Sequence, residues 1–119
     1  MSLHTESALN TRDVRAAVPV FAALGDETRL GIVRRLATGT PLSIASLTVG
    51  SGVTRQAVTK HLLVLDGAGL VRSQWRGRER LWALKPDRLE PARRSLELIA
   101  AHWDEALGRL KTFVENDMG

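Results

Sequence analysis

The side chains best suited to chemistry fall in two short basic segments. Arg55, Gln56, Thr59 and Lys60 lie in one, and Arg72, Arg76, Arg78 and Arg80 surround Gly77 in the other. A guanidinium fork matches phosphate oxygens or the O6 and N7 edge of guanine, and a carboxamide matches N6 and N7 of adenine. That chemistry is recognition of a polyanion. Catalytic chemistry has less to work with. There are no cysteines, so disulfides, thiolate metal sites, iron–sulfur clusters and cysteine nucleophiles are excluded. His4, His61 and His102 are too widely spread for a catalytic or metal cluster. No nucleophile elbow, phosphate loop or HExxH motif is present, and the chain is not expected to be an enzyme. His102 has Asp104 and Glu105 nearby, but only Glu105 shares its helical face, and two ligands from one helix do not close a tetrahedral site. No cofactor is expected.

The formal charge is +4, from 17 Lys and Arg against 13 Asp and Glu. It is unevenly distributed: residues 1–53 carry a net +1, residues 54–94 a net +6, and residues 95–119 a net −3. A basic patch of this kind on a small domain is the electrostatic footprint of nucleic-acid binding, the alternative being a solvated face of an ordinary domain. At 119 residues and 44% hydrophobic the chain has room for one domain with a real core. No apolar run reaches the roughly 18 residues of a membrane span. The polar start, MSLHTESALNTR, lacks the apolar stretch of a signal peptide, so a cytoplasmic location is expected.

The elements that must position the cations can be read from spacing. Residues 1–10 have no periodicity and read as a flexible arm, leaving 11–119 as the folded domain. From Asp13, Val14, Ala17, Val18 and Phe21 follow helical spacing, with Pro19 predicting a kink or a late start. Asp26 caps a second helix that turns Leu30, Val33 and Leu36 inward. Ser43 caps a short third helix with Ile44 and Leu47 buried. Thr54 opens a fourth with Ala57, Val58, Leu62 and Leu65 as its apolar stripe. Two short helices across Gly50-Ser51-Gly52 form a helix-turn-helix pattern. Residues 70–75 and 80–84 then read as two strands around Arg76-Gly77-Arg78-Glu79, a basic hairpin.

Asp87 is the expected cap of a final helix running to about Glu115. Leu89, Leu96, Trp103 and Leu110 repeat at seven, and Ala92, Ile99, Ala106 and Phe113 repeat three residues later. Such a helix of about 27 residues is about 40 Å long, more than a domain of this size can cover from one side. The seam implies a second copy of the chain, with the first helix sharing the interface; the alternative is that the first helix covers it alone. The interface residues are then Val14, Val18 and Phe21 with Leu96, Ile99, Trp103, Ala106, Leu107, Leu110 and Phe113.

Three segments resemble the ArsR family, the arsenic-repressor-like bacterial winged-helix regulators: FAALGDETRLGIVRRLATG at 21–39, VTRQAVTKHLLVLDGAGLV at 53–71, and WRGRERLWAL at 75–84. With HWDEALGRLKTFVE at the last helix, the resemblance covers about residues 14–115. It implies a mainly α, α+β winged-helix fold: a helix-turn-helix, a two-stranded β-wing and a long C-terminal dimerisation helix. It also implies a homodimeric double-stranded DNA-binding transcriptional regulator, usually a repressor, on a palindromic operator. Metal-sensing members of the family use cysteines on the third helix or an Asp/His/His/Glu set on the last. PLSIASL has no cysteine and the last helix has one histidine, so no metal response is implied.

On this reading Arg55 and Gln56 address base edges, and Thr59 a base or a thymine methyl. Lys60 takes a phosphate, as does Thr54 if its hydroxyl is not occupied in capping. His61 is either a DNA contact or a structural histidine at the edge of the helix-turn-helix core. Leu63 stands where the family often has a basic residue, and is expected to pack at the wing base. Arg72, Arg76, Arg78 and Arg80 reach phosphates or the minor groove, or are solvated. Trp75, Trp82 and Trp103 read as wing and seam packing. A winged-helix module that docks on protein rather than DNA is the competing reading. A small-molecule effector at the dimer interface is left open, with no residue naming its ligand.

Overall fold

The computed structural model describes the backbone of residues 2–118 and the side chains of residues 11–117. In chain order it has α1 (Ser2–Leu24), α2 (Glu27–Leu36), β1 (Leu42–Ser43), α3 (Ile44–Thr48) and α4 (Arg55–Gly67). These are followed by β2 (Val71–Arg76), β3 (Glu79–Leu84), a 3-10 turn at Pro86–Arg88 and α5 (Leu89–Met118). This is the expected winged-helix architecture, with one strand more than expected. Strand β1 pairs antiparallel with β3, placing Leu42 opposite Trp82 and Ser43 opposite Leu81, so the sheet has the order β1-β3-β2.

Side-chain caps set three of the helix starts. Asp26 accepts from the Arg29 N–H at 3.0 Å, Ser43 from Ser46 at 3.1 Å, and Thr54 from Ala57 at 3.1 Å. Each satisfies a backbone donor that the first turn leaves without a helical partner. The end of α4 is fixed as firmly. Gly69 takes a left-handed φ of 75°, its N–H donates to the Asp66 carbonyl, and the Leu70 N–H donates to the Leu65 carbonyl. That is a Schellman motif, and its accompanying apolar pair, Leu65 and Leu70, is fully buried. A Cβ at Gly69 would also stand 2.9 Å from the Arg88 Cγ. The same glycine therefore ends α4 and aims the chain into the wing.

One core joins the elements. Val58, Leu62 and Leu65 of α4 meet Ile32, Val33 and Leu36 of α2, Leu47 of α3, Val20 of α1, and Val71 and Trp82 of the sheet. Several expectations change. Helix α1 begins at Ser2, so its backbone takes in the stretch read as an arm, and it runs on through Pro19. Ala17, Val20 and Ala23, on both sides of that proline, are buried, which offsets the missing hydrogen bond. In α2 Val33 and Leu36 face inward as expected, but their buried companion is Ile32, and Leu30 is 45% exposed. Asp87 does not cap α5, because the chain enters that helix through the 3-10 turn, which carries no side-chain cap. The hairpin turn is also tighter than read: the strands extend to Arg76 and Glu79, leaving Gly77-Arg78 as a two-residue loop. Gly77 has φ 65°, and among the described residues no non-glycine has positive φ, so Arg78 does not, the pattern of a II′ hairpin turn.

Helix α1 packs along α5. The pair leaves an elongated chain, with a radius of gyration of 19.5 Å against about 13–14 Å for a compact domain of this length.

Candidate nucleic-acid interface

The outward face of α4 follows from its inward one. With Val58, Leu62 and Leu65 at 0% exposure, Gln56, Lys60 and Leu63 are turned to solvent. Arg55, Gln56 and Lys60 are exposed, and among the described residues none of their side chains has a hydrogen-bond or ion-pair partner. Their polar groups are available at the N-terminal half of the helix. Thr54 is occupied in capping through its oxygen acceptor, which leaves its hydroxyl proton to donate outward. Thr59 is half-buried and donates its hydroxyl to the Arg55 carbonyl at 2.8 Å.

The wing is tied to the end of this helix: the Lys85 N–H donates to the Leu70 carbonyl at 2.7 Å, closing the hairpin base one residue beyond the Schellman glycine. Register then sorts the side chains. Arg72, Gln74 and Arg76 lie opposite Ala83, Leu81 and Glu79 on one face; Ser73 and Trp75 lie opposite Trp82 and Arg80 on the other. Arg72, Arg76 and Arg78 are exposed and, among the described residues, unpaired. Arg80 differs. Its Nε donates to Ser73 Oγ at 2.9 Å, and its guanidinium lies 4.7 Å from the centroid of Trp82 and 6.0 Å from that of Trp75. This cation–π stack holds Arg80 on the wing itself. Trp82 fulfils its expected packing role, whereas Trp75 is 66% exposed.

His61 also faces its own chain. Its Nδ1 lies 3.2 Å from an Arg29 terminal nitrogen and 3.8 Å from Asp26 Oδ2. The Arg29 Nε donates to the Ala23 carbonyl at 2.6 Å. Arg29 thus links the end of α1 and the cap of α2 to the middle of α4. Sequence reading missed it; the only signal was a forked donor three residues after the cap. The backbone N–H of Arg29, with the charges of His61 and Arg29 adding to it, holds the Asp26 carboxyl below the usual carboxylate range.

The charge on early α5 is not free. Arg93 pairs with Glu90 and Glu97, and Arg94 lies 3.6 Å from Asp13 of α1 and 3.5 Å from Glu90. The Arg93 hydrogen bond holds the Glu90 carboxyl low. Within residues 54–94 the cations left unpaired among the described residues therefore lie on α4, on the wing and, at Lys85 and Arg88, in the turn that follows it. Among the described residues, no three of His, Asp and Glu come together as a metal site, and no helix is long and apolar enough to cross a membrane.

The residues assigned to the seam divide from the core within α1: Ala17 and Val20 face in, while Val14, Val18 and Phe21 are 52%, 56% and 38% exposed. On α5, Leu96, Ile99, Trp103, Leu107, Leu110 and Phe113 are all exposed, and Ala106 is half-buried. Helix α1 does not cover the seam alone.

A helix-turn-helix whose outer helix carries free cations, joined rigidly to a basic hairpin, defines a winged helix-turn-helix DNA-binding protein. The chain matches the helix-turn-helix domain family over residues 24–74. It is 37% identical over 97 residues to the HTH-type transcriptional regulator Rv2034 of Mycobacterium tuberculosis, covering 82% of this chain and 87% of that one. It is 39% identical to an ArsR-like transcriptional regulator from Rhodococcus sp. RHA1, with a TM-score of 0.64 over 84% of this chain and 93% of that structure. The fold is also that of the homodimeric winged helix-turn-helix DNA-binding domain of Mb0332 from Mycobacterium bovis, with 22% identity and a TM-score of 0.57, covering 77% of this chain and 82% of that one. The chain belongs to the ArsR family of winged helix-turn-helix transcriptional regulators. It is a DNA-binding regulator, as its relatives are, and not an enzyme.

Proposed function

We propose that the protein acts in the cytoplasm as a homodimeric repressor that binds a palindromic operator without responding to a metal ion. The observation that carries this reading is the row of exposed apolar side chains shared by α1 and α5. Nine large apolar residues, from Val14 to Phe113, are between 38% and 68% exposed in the single chain. A seam of this length is costly to leave in water, and a two-fold copy buries it against itself. That the winged helix-turn-helix domain of Mb0332, which shares the fold, is homodimeric supports a two-fold pair. A two-fold pair carries two α4 helices, which reach major grooves one turn apart, about 34–36 Å, on a palindromic site. A protein seated over a full turn of promoter DNA represses by occlusion. The missing cysteines and the single histidine of α5 support a regulator that does not sense metal.

In this reading Arg55 and Gln56 read purine edges, and Lys60, Thr54, Arg72, Arg76 and Arg78 hold phosphates or line the minor groove. Arg80 and His61 act by position: Arg80 stiffens the wing through Trp82, and His61 fixes α4 against Arg29.

Paired variants test the division of labour. Arg55→Ala should relax base preference at one position of each half-site, at a cost of about 1–3 kcal/mol on the preferred base. Arg78→Ala should weaken binding to all sequences about equally. Both are measured by affinity on duplexes recovered from genomic pull-down, with footprints to map the half-sites. If Arg78→Ala changed which operator is chosen, the wing would be a reader of sequence and the assignment would be wrong.

A further inference from the structure

The core face of α4 is complete, yet a large apolar side chain stands on the opposite face. Leu63 is 52% exposed and is not among the residues packed against the core, so it does not fill the wing base. It lies one turn beyond Thr59 and two turns beyond Gln56, on the face that carries Lys60. Thr59, which donates its hydroxyl to the Arg55 carbonyl, has only its methyl left as an apolar contact. The recognition helix therefore has two chemically different halves. The first carries forked and carboxamide hydrogen-bonding groups. The second presents a methyl and an isobutyl group next to a lysine.

We propose that Leu63, together with the Thr59 methyl, reads the 5-methyl groups of thymines in each half-site, which makes Leu63 a specificity-determining residue. The proposal rests on the DNA-binding reading above. In the major groove the thymine methyl is the one apolar feature that a base pair offers, so an apolar side chain there discriminates thymine from cytosine without a hydrogen bond. The part of α4 that precedes Leu63 favours DNA as the occupant: it carries the free cations Arg55 and Lys60, with the exposed Asp66 carboxylate one turn beyond Leu63, whereas the apolar seam assigned to the second copy lies on α1 and on α5, where residues 95–119 carry a net −3.

The test needs no variant to begin. Duplexes are selected from a randomised pool with the full-length protein. The enriched duplex is then made twice, once with thymine and once with uracil at every half-site thymine, which removes the methyl and keeps every hydrogen-bonding group. Wild type should bind the uracil duplex about 3- to 10-fold more weakly for each methyl contacted. Leu63→Ala should lower the thymine-to-uracil ratio by the larger factor and Thr59→Ser by a smaller one, and the double variant should bring it close to one. Equal wild-type affinity for the two duplexes overturns the proposal, as does a Leu63→Ala variant that keeps the full ratio. A pool that enriches no sequence overturns the DNA-reading assignment itself. That result is distinct from enrichment without methyl sensitivity.

Discussion

Replacing both Trp103 and Leu110 with glutamate should give a folded monomer that no longer protects a two-half-site operator. The two side chains are 64% and 58% exposed and lie two turns apart on α5. Neither belongs to the core of the single chain, so the winged-helix unit should keep its helical content. In the dimer the same substitutions place carboxylates in an apolar seam and, by symmetry, near their own copies. Burying an unpaired carboxylate costs several kcal/mol, and four in one interface exceed what the seam gains. Losing the second recognition helix then removes a bivalency advantage of about 10²- to 10⁴-fold. Sedimentation, circular dichroism and footprinting check the three parts separately. A double variant that stays dimeric would place the interface elsewhere.

The second large effect is expected at Trp82. Trp82→Ala should destabilise the protein by about 3–5 kcal/mol, the range for deleting a buried aromatic side chain. Set against about 5–15 kcal/mol for a whole domain, this lowers Tm by about 10–20 °C. The position explains the size. Trp82 is 0% exposed, lies opposite Leu42 of β1 on one side and Ser73 of β2 on the other, and forms the surface on which Arg80 rests. Removing it opens the core and frees the wing's brace together. Trp75→Ala is the control, since Trp75 is 66% exposed and a substitution there should change stability by no more than about 0.5 kcal/mol. Thermal denaturation of the two variants decides; equal losses would mean that Trp82 does not anchor the sheet.

How far the sequence could be read depended on the range of the interaction. Asp26, Ser43 and Thr54 announce helix starts because a cap is a contact over three residues, and all three cap as expected. The exposed apolar row of α5 was legible for a similar reason: its repeat is long and regular. What escaped depends on distant partners. Strand β1 is two residues long, too short to show an alternating pattern, and exists through its pairing with β3. Leu30 and Ile32 exchange roles because α2 is oriented by α4 and the sheet, which its own spacing does not reveal. Pro19 would break an isolated helix, but α1 is held by burial on both sides of it.

The candidate site divides in the same way. Arg55, Gln56, Lys60, Arg72, Arg76 and Arg78 lie where local periodicity puts them, exposed and unpaired among the described residues. Arg80 and His61 carry suitable side chains at suitable spacing but bond inward, to Ser73 and Trp82 in one case and to Arg29 in the other. Composition counted Arg80 with the patch, as it counted Arg93 and Arg94, whose charge is matched by Glu90, Glu97 and Asp13. The net +6 of residues 54–94 thus overstates the free charge and understates how narrowly it is placed.

These remaining cations are expected to hold duplex DNA, and affinity for the selected operator duplex as a function of salt measures this most directly. Counting Lys60, Arg72, Arg76 and Arg78 on each of two protomers gives about eight phosphate contacts, and a slope of log Kobs against log salt of about −7. Affinity should then fall about 10⁴-fold between 50 and 200 mM salt. A flat dependence would contradict the account and favour a winged helix that docks on protein.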